Sequence, residues 1–404
     1  MNEWEVKRLD EVADRIAVKN SAGYQRVLTV AAGHGLVDQE TYFNKRVASA
    51  DVSGYWVVEP GDFVYNKSTS KDAPWGVIAR WDGDEPAVVT TLYIVFRARP
   101  NIESDYLLHA CNGTYFFNSL RGTLREGARA HGLLNVRLAE FFGARLVVPP
   151  HAEQRRIVDV MEAVDAQIHA LAAEAKAARV LLRARRSELL VRESATIPLK
   201  KAFAVLMGRQ RAPQHAIGPY MTNYLRSANI GDGVLDLADI KQMNFNPDER
   251  AKFGLRVGDV LVSEGSASAA AVGLSAVWHG EIEDPVCFQK TLLRFRAVDG
   301  VSTAAFTNHW CQWAFESGTF LKISSGTNIK HITAIRVLEV PVALPGIEEQ
   351  STIADELDSL TAQNTAVRDE LAHLRSFRSV LLASLLSGEI ETPESYDALQ
   401  EKVS

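Results

Sequence analysis

The chain carries two long helical patterns that repeat each other at an offset of 196 residues. In the first, Ile157, Met161, Val164, Ile168, Leu171, Ala175, Ala178, Leu182, Arg185 and Leu189 recur alternately four and three residues apart, the spacing of a coiled-coil seam. In the second, Ile353, Leu357, Leu360, Asn364, Val367, Leu371, Leu374, Arg378, Leu381 and Leu385 keep the same steps. A narrow apolar stripe of this kind must be covered by a partner surface. The small Ala175 and Ala178 opposite bulkier seam residues suggest that the two helices pack on each other; the alternative is that each caps its own domain. Asn364 puts a polar group on the seam, a device that fixes register at some cost in stability.

Each helical pattern follows the same kind of junction. Pro149-Pro150-His151-Ala152-Glu153-Gln154-Arg155-Arg156-Ile157 corresponds to Pro345-Gly346-Ile347-Glu348-Glu349-Gln350-Ser351-Thr352-Ile353, with Pro, Glu-Gln and Ile coinciding. An apolar, strand-like run precedes each, so both read as strand, turn, helix. Further upstream, Pro60-Gly61-Asp62-Phe63-Val64-Tyr65 matches Val257-Gly258-Asp259-Val260-Leu261-Val262 as a turn into a buried strand. Beyond these anchors the two large segments share little. The layout is a globule at 1–150, a helix at 151–192, a globule at 193–346, a helix at 347–388 and an acidic tail at 389–404. The class is α+β: two similar mixed α/β domains alternating with two long helices, an internal repeat that makes pseudo-twofold symmetry available within one chain.

Charge narrows the possible partners. The net charge of −6 argues against a protein that coats nucleic acid, yet its distribution is uneven. Residues 343–404 hold 12 acidic against 4 basic side chains, whereas the two large segments are near neutral with room for local basic patches. Three cysteines without a Cys-x-x-Cys pair support neither a disulfide framework nor a zinc cluster, so free buried thiols are expected. With no basic start leading into an apolar run and no long uncharged apolar stretch, a cytoplasmic protein without membrane contact is expected.

The proline-bearing junctions, the Gly-Asp strand turns and the run Ser324-Ser325-Gly326-Thr327-Asn328-Ile329-Lys330 resemble the specificity subunits of Type I restriction-modification systems over nearly the whole chain. The first half departs from this pattern, with a longer and more basic stretch at 121–136 in place of that run. The resemblance implies two target-recognition domains held apart by an antiparallel pair of helices. It implies double-stranded DNA as ligand, two methyltransferase subunits docked on the helices, and restriction/translocase subunits as further partners. It also implies no catalytic centre and no cofactor in this chain, S-adenosylmethionine and ATP binding the partner subunits instead.

On that expectation each domain reads a short half-site through base-edge hydrogen bonds while basic and hydroxyl groups hold phosphate. A helix over 151–192 would extend roughly 60 Å, against about 34 Å for one DNA turn, so half-sites a turn or slightly more apart are within reach. The candidate DNA-binding residues of the first domain are Lys67, Ser68, Thr69 and Lys71, in a polar loop after a strand, and Arg121, Arg125 and Arg129 in a Gly-punctuated stretch. Those of the second are Arg209, Gln210 and Arg211, then Lys322, Ser324, Thr327 and Lys330. Each of them also reads as an ordinary solvated surface residue. Arg179, Arg183, Arg185 and Arg186 on the first helix would track phosphate, meet an acidic partner surface, or make ordinary charge pairs.

Enzyme signatures are incomplete. Pro149-Pro150 lacks the preceding Asn or Asp of an amino-methyltransferase loop, Gly122 to Gly127 is followed by Ala128 rather than Lys, and Ser266 lacks the flanking glycines of a nucleophile elbow. Two other readings stay open: a standalone DNA methyltransferase or nuclease with a divergent site, and a coiled-coil scaffold that binds only protein.

Overall fold

A computed structural model describes residues 4–31, 35–68, 74–122, 129–130, 133–134, 136–191, 195–266, 268–283, 285–327 and 329–392. Both helical patterns form continuous helices, His151–Leu190 and Ile347–Ser387. The chain divides into two compact units that do not follow the linear segments. The first takes residues up to 171 and those from 370 onward; the second takes 172–369. Each unit therefore owns one globule and a piece of both helices.

In the first unit a four-stranded antiparallel sheet runs in the order Ala13–Ile16, Ile94–Ala98, Phe63–Asn66, Val77–Arg80. In the second the order is Phe203–Met207, Leu292–Ala297, Val260–Ser263, Ser275–Val277, again antiparallel throughout. The two sheets have the same topology. The registers also agree, with Phe63 opposite Phe96 and Val260 opposite Phe295. Glu5–Arg8 pairs with Arg145–Val148, and Thr196–Pro198 with Pro341–Ala343, so each globule is closed by a short ribbon immediately before its helix starts.

The turn matched in sequence is the same turn in space. Gly61 and Gly258 adopt φ of 88° and 89°, a left-handed conformation that glycine enters without steric cost. The next residue is a buried aspartate. Asp62 Oδ2 accepts the Glu59 N–H at 2.8 Å and Asp259 Oδ2 accepts the Arg256 N–H at 2.8 Å. Their other oxygens meet Arg97 Nε and Arg296 Nε, each at 2.6 Å. A carboxylate so enclosed is tolerable because hydrogen bonds and an opposite charge replace its lost water.

The globules differ where they add to this common frame. The first adds the hairpin Leu28–Ala31 with Gly35–Asp38 and the pair Trp56–Val58 with Ala87–Val89. The second adds Met221–Leu225 between Lys241–Asn244 and, in parallel, Val286–Phe288.

The seam residues are placed by their helical spacing. Ile157, Met161, Ile168, Leu171, Leu182, Ile353, Leu357, Asn364 and Leu371 are buried, and Val164, Leu360, Val367 and Leu374 are half-buried. In the first unit the helix ends join the globule's core, where Ile157, Met161, Leu382, Leu385 and Leu386 pack with Tyr106 and Phe116. In the second, Leu182, Leu190, Ile353 and Leu357 do so with Phe306 and Trp310. Within the first unit the helices run antiparallel. Arg378 Nη2 donates to Asp165 Oδ2 at 2.7 Å, and Thr392 Oγ1, later in the chain, donates to Glu153 Oε1, earlier in it, at 2.6 Å.

Gln154 and Gln350 show how helix and globule are joined. The Gln154 side-chain carbonyl accepts the Glu103 N–H at 2.9 Å and its amide donates to Pro149 O at 2.8 Å. Gln350 makes the corresponding bonds with the Thr303 N–H at 2.9 Å and Pro345 O at 2.8 Å. Among the described residues no helix is long and apolar enough to cross a membrane.

Candidate nucleic-acid interface

In the second unit four segments of the chain are zipped together at one end of the sheet. The Arg209 N–H donates to Phe288 O at 3.1 Å and the Lys290 N–H to Arg209 O at 2.9 Å. The Glu264 N–H donates to Thr291 O at 2.9 Å, and the Ile332 N–H to Glu264 O at 2.7 Å. Gln210, Arg211, Glu264, Gln289, Lys290, Thr291 and His331 thereby line one shallow depression of about 480 Å³. Its lining holds two amides, a guanidinium, an ammonium and a carboxylate, the groups that pair with base edges and phosphate.

The sequence-nominated residues fall into three situations here. Gln210 and Arg211 are exposed and line the depression. Arg209 is buried and committed: Nη1 donates to Asn244 O at 2.5 Å, Nη2 lies 2.7 Å from Glu249 Oε1, and the guanidinium sits over the Phe245 ring at 4.9 Å. It therefore holds the loop from within rather than offering a free cation. Lys330 lies on the two-residue strand that pairs with Gly265–Ser266, next to His331. Thr327 is exposed in the preceding turn, Ser324 Oγ donates to Leu321 O at 2.7 Å, and Lys322 is exposed on the helix Thr319–Ile323, outside the lining of the depression.

Glu264, Gln289, Lys290, Thr291 and His331 were not singled out by the sequence. The available signal is positional: Glu264 follows the apolar strand Val260–Ser263, and Gln289 to Thr291 separate the strands Val286–Phe288 and Leu292–Ala297.

In the first unit Lys67 is half-exposed after the strand Phe63–Asn66, and its carbonyl accepts the Leu134 N–H at 3.0 Å. Leu134 is also the register partner of Arg129, so positions 67 and 129 flank the same residue from opposite sides. The Ser68 N–H donates to Asn66 Oδ1 at 2.9 Å. Arg121 ends the helix Thr114–Arg121, with its guanidinium 5.6 Å from the Trp75 ring centre. Thr69, Lys71 and Arg125 lie outside the described residues.

The four clustered arginines in the second half of the first long helix face carboxylates of the second unit. Arg179 meets Asp232 at 2.7 Å, Arg183 meets Glu316 at 3.4 Å, Arg185 meets Glu356 at 2.5 Å, and Arg186 meets Glu316 at 2.7 Å. They bind the helix to its own globule and neighbour, the ordinary charge pairs among the three uses open to them. Arg186 is only 2% exposed.

Two histidines sit at corresponding positions where globule and helix meet. His109 is buried, its Nδ1 3.4 Å from Arg378 Nη2, and burial together with that guanidinium lowers its pKa. His309 Nε2 lies 2.9 Å from Asp358 Oδ1, and this bond holds the Asp358 carboxyl below the usual carboxylate range. Burial raises the pKa of Cys111 and Cys311, and pushes Cys287 up to about 12.

The alternation of one repeated α/β fold with two long helices is shared with a chain from a solved structure of a type I R-M system. In sequence the chain resembles Type I restriction enzyme specificity subunits. A chain from a solved structure concerned with complex assembly and conformational transition of the type I R-M system aligns over 96% of this chain and 99% of its own, with TM-score 0.63 and 17% identity. The StySPI specificity subunit of Salmonella potsdam, a Type I restriction enzyme subunit, is 26% identical over 207 residues, 49% of this chain and 43% of that protein. The EcoKI specificity subunit of Escherichia coli is 25% identical over 202 residues, 48% of this chain and 42% of that protein. The chain thus spans less than half the length of the curated relatives it matches. No family model matches it.

Proposed function

We propose that this chain is the non-catalytic sequence-specificity subunit of a Type I restriction-modification complex in the cytoplasm. Each globule binds one half of a gapped double-stranded DNA target, and the helices carry two methyltransferase subunits and, with them, the restriction subunits. S-adenosylmethionine and ATP belong to those partners. The observation that carries this reading is the repetition of one frame, Gln154 with Gln350 and Asp62 with Asp259, under loop regions that have diverged. Constant frames with variable loops are what two half-site readers of different sequence require. The resemblance to named specificity subunits supports the same reading.

The test is a methylation map of the source genome with and without the gene. Loss of one split, gapped motif on deletion is the expected result and would report both half-sites together. An unchanged map, with no sequence-selective DNA binding by the assembled complex, would favour a protein-only scaffold. Methylation or cleavage by the purified chain alone would replace the reading with an enzyme.

A further inference from the structure

The repeat makes it possible to ask which side chains stand at the same place in the two recognition domains. Position 67 and position 264 do. Each is the first residue after the strand that follows the Gly-Asp turn, Phe63–Asn66 in one unit and Val260–Ser263 in the other. Each carbonyl accepts an N–H from a corresponding residue, Leu134 at 3.0 Å and Ile332 at 2.7 Å. The backbone is the same, but the charge is opposite: a lysine in the first unit, a glutamate in the second.

A carboxylate here is unusual for a surface that meets phosphate. Glu264 is held in place rather than waving in solvent: its N–H and C=O are both bonded, and its side chain is only 13% exposed. Oε2 lies 3.1 Å from His331 Nδ1, and both side chains line the depression with Gln210, Arg211, Gln289 and Lys290. The cations and amides there can hold phosphate and purine edges. A carboxylate only accepts hydrogen bonds, so in a duplex groove it suits an exocyclic amine, the N4 of cytosine or the N6 of adenine. A lysine only donates, and suits the O6 and N7 acceptors of guanine.

We infer that positions 67 and 264 are corresponding base-reading positions, Lys67 selecting an acceptor edge in one half-site and Glu264 an amine-bearing base in the other. The inference rests on the DNA-recognition reading proposed above. His331 orients the Glu264 carboxylate and does not itself set the base.

The experiment uses the full chain assembled with its methyltransferase partner and a randomised duplex DNA library, scoring which sequences become methylated. Glu264→Gln keeps size and removes the charge. It should lower discrimination about tenfold at a single base pair of one half-site and leave the other half-site intact. Lys67→Gln should do the same at a single base pair of the other half-site. His331→Ala should weaken methylation while keeping the preferred base. If either glutamine variant selects with undiminished discrimination, or if His331→Ala changes the same base pair as Glu264→Gln, the inference is overturned. Failure of the wild-type complex to select any sequence would instead overturn the DNA-recognition reading itself.

Discussion

The Gln350 side chain accepts the Thr303 N–H at 2.9 Å, so a residue of the second long helix caps a backbone group at the start of the globular helix Ala304–Glu316. Its amide also donates to Val301 O and Pro345 O, at 2.9 and 2.8 Å, and the residue is fully buried. Gln350→Ala would strand one donor and two acceptors away from water. A loss of about 3 kcal/mol in the unfolding of the second unit is expected. Denaturant titration followed by hydrogen exchange would locate the effect, and uniform destabilisation of both units would contradict the assignment.

The two aspartate–arginine pairs should not be equally costly to break. The Arg296 side chain is 21% exposed against 45% for Arg97, and Arg296 is further fixed by Gly254 O at 3.2 Å. Asp259→Ala therefore leaves the more buried cation unpaired and should cost about 3 kcal/mol, with Asp62→Ala the milder change. Thermal unfolding of the two variants side by side checks the order.

Arg209 and Arg211 differ by two positions and should differ in kind. Arg209→Ala removes the bonds to Asn244 O and Glu249 and should lower the melting temperature. Arg211→Ala should leave melting unchanged, weaken DNA binding by the complex, and reduce the slope of log affinity against log salt by about 1. A salt slope unaffected by Arg211→Ala would remove that residue from the phosphate contacts.

His109 makes the first unit acid-sensitive. Burial and Arg378 depress its folded-state pKa below that of the unfolded chain, so the unfolded state binds the proton more readily. Stability from this group is fully present above the unfolded value of about 6.5 and falls as pH drops from there toward the folded value. His109→Gln should flatten that part of the stability curve. Unfolding measured between neutral and mildly acid pH, wild type against variant, reads the difference.

Cys111, Cys287 and Cys311 are buried, and burial raises the pKa of each. A thiol-alkylating reagent at neutral pH should label none of them in the folded protein and all of them once it is unfolded. Mass spectrometry after a short pulse distinguishes the two states.

What could be read in advance followed from periodicity. The seam steps of four and three place Ile157 to Leu182 and Ile353 to Leu374 because helical geometry converts spacing directly into a face. The turns at Gly61 and Gly258 were equally plain, since a left-handed turn favours glycine, whereas the burial of the aspartate that follows each was not. The partners of Asp62 and Asp259 were not visible, because Arg97 and Arg296 reach them across the sheet from far along the chain. The same limit applies to the candidate interface. Gln210 and Arg211 stood out by residue type, but Gln289, Lys290 and Glu264 join them only through backbone bonds between three loops. Arg209 shows the opposite failing of residue type, an arginine suited to bases that is spent on its own fold.

The division of the long helices between the units also orders events during synthesis. The second unit is one uninterrupted stretch, so everything it packs has left the ribosome once residue 369 has emerged. The first unit begins earlier but closes later, since Leu382, Leu385 and Leu386 belong to the core laid down by Leu9, Phe63 and Tyr106. The globule made first must wait with an open apolar face while the one made second completes itself, which makes it the point at which nascent chains are exposed to aggregation and to chaperones.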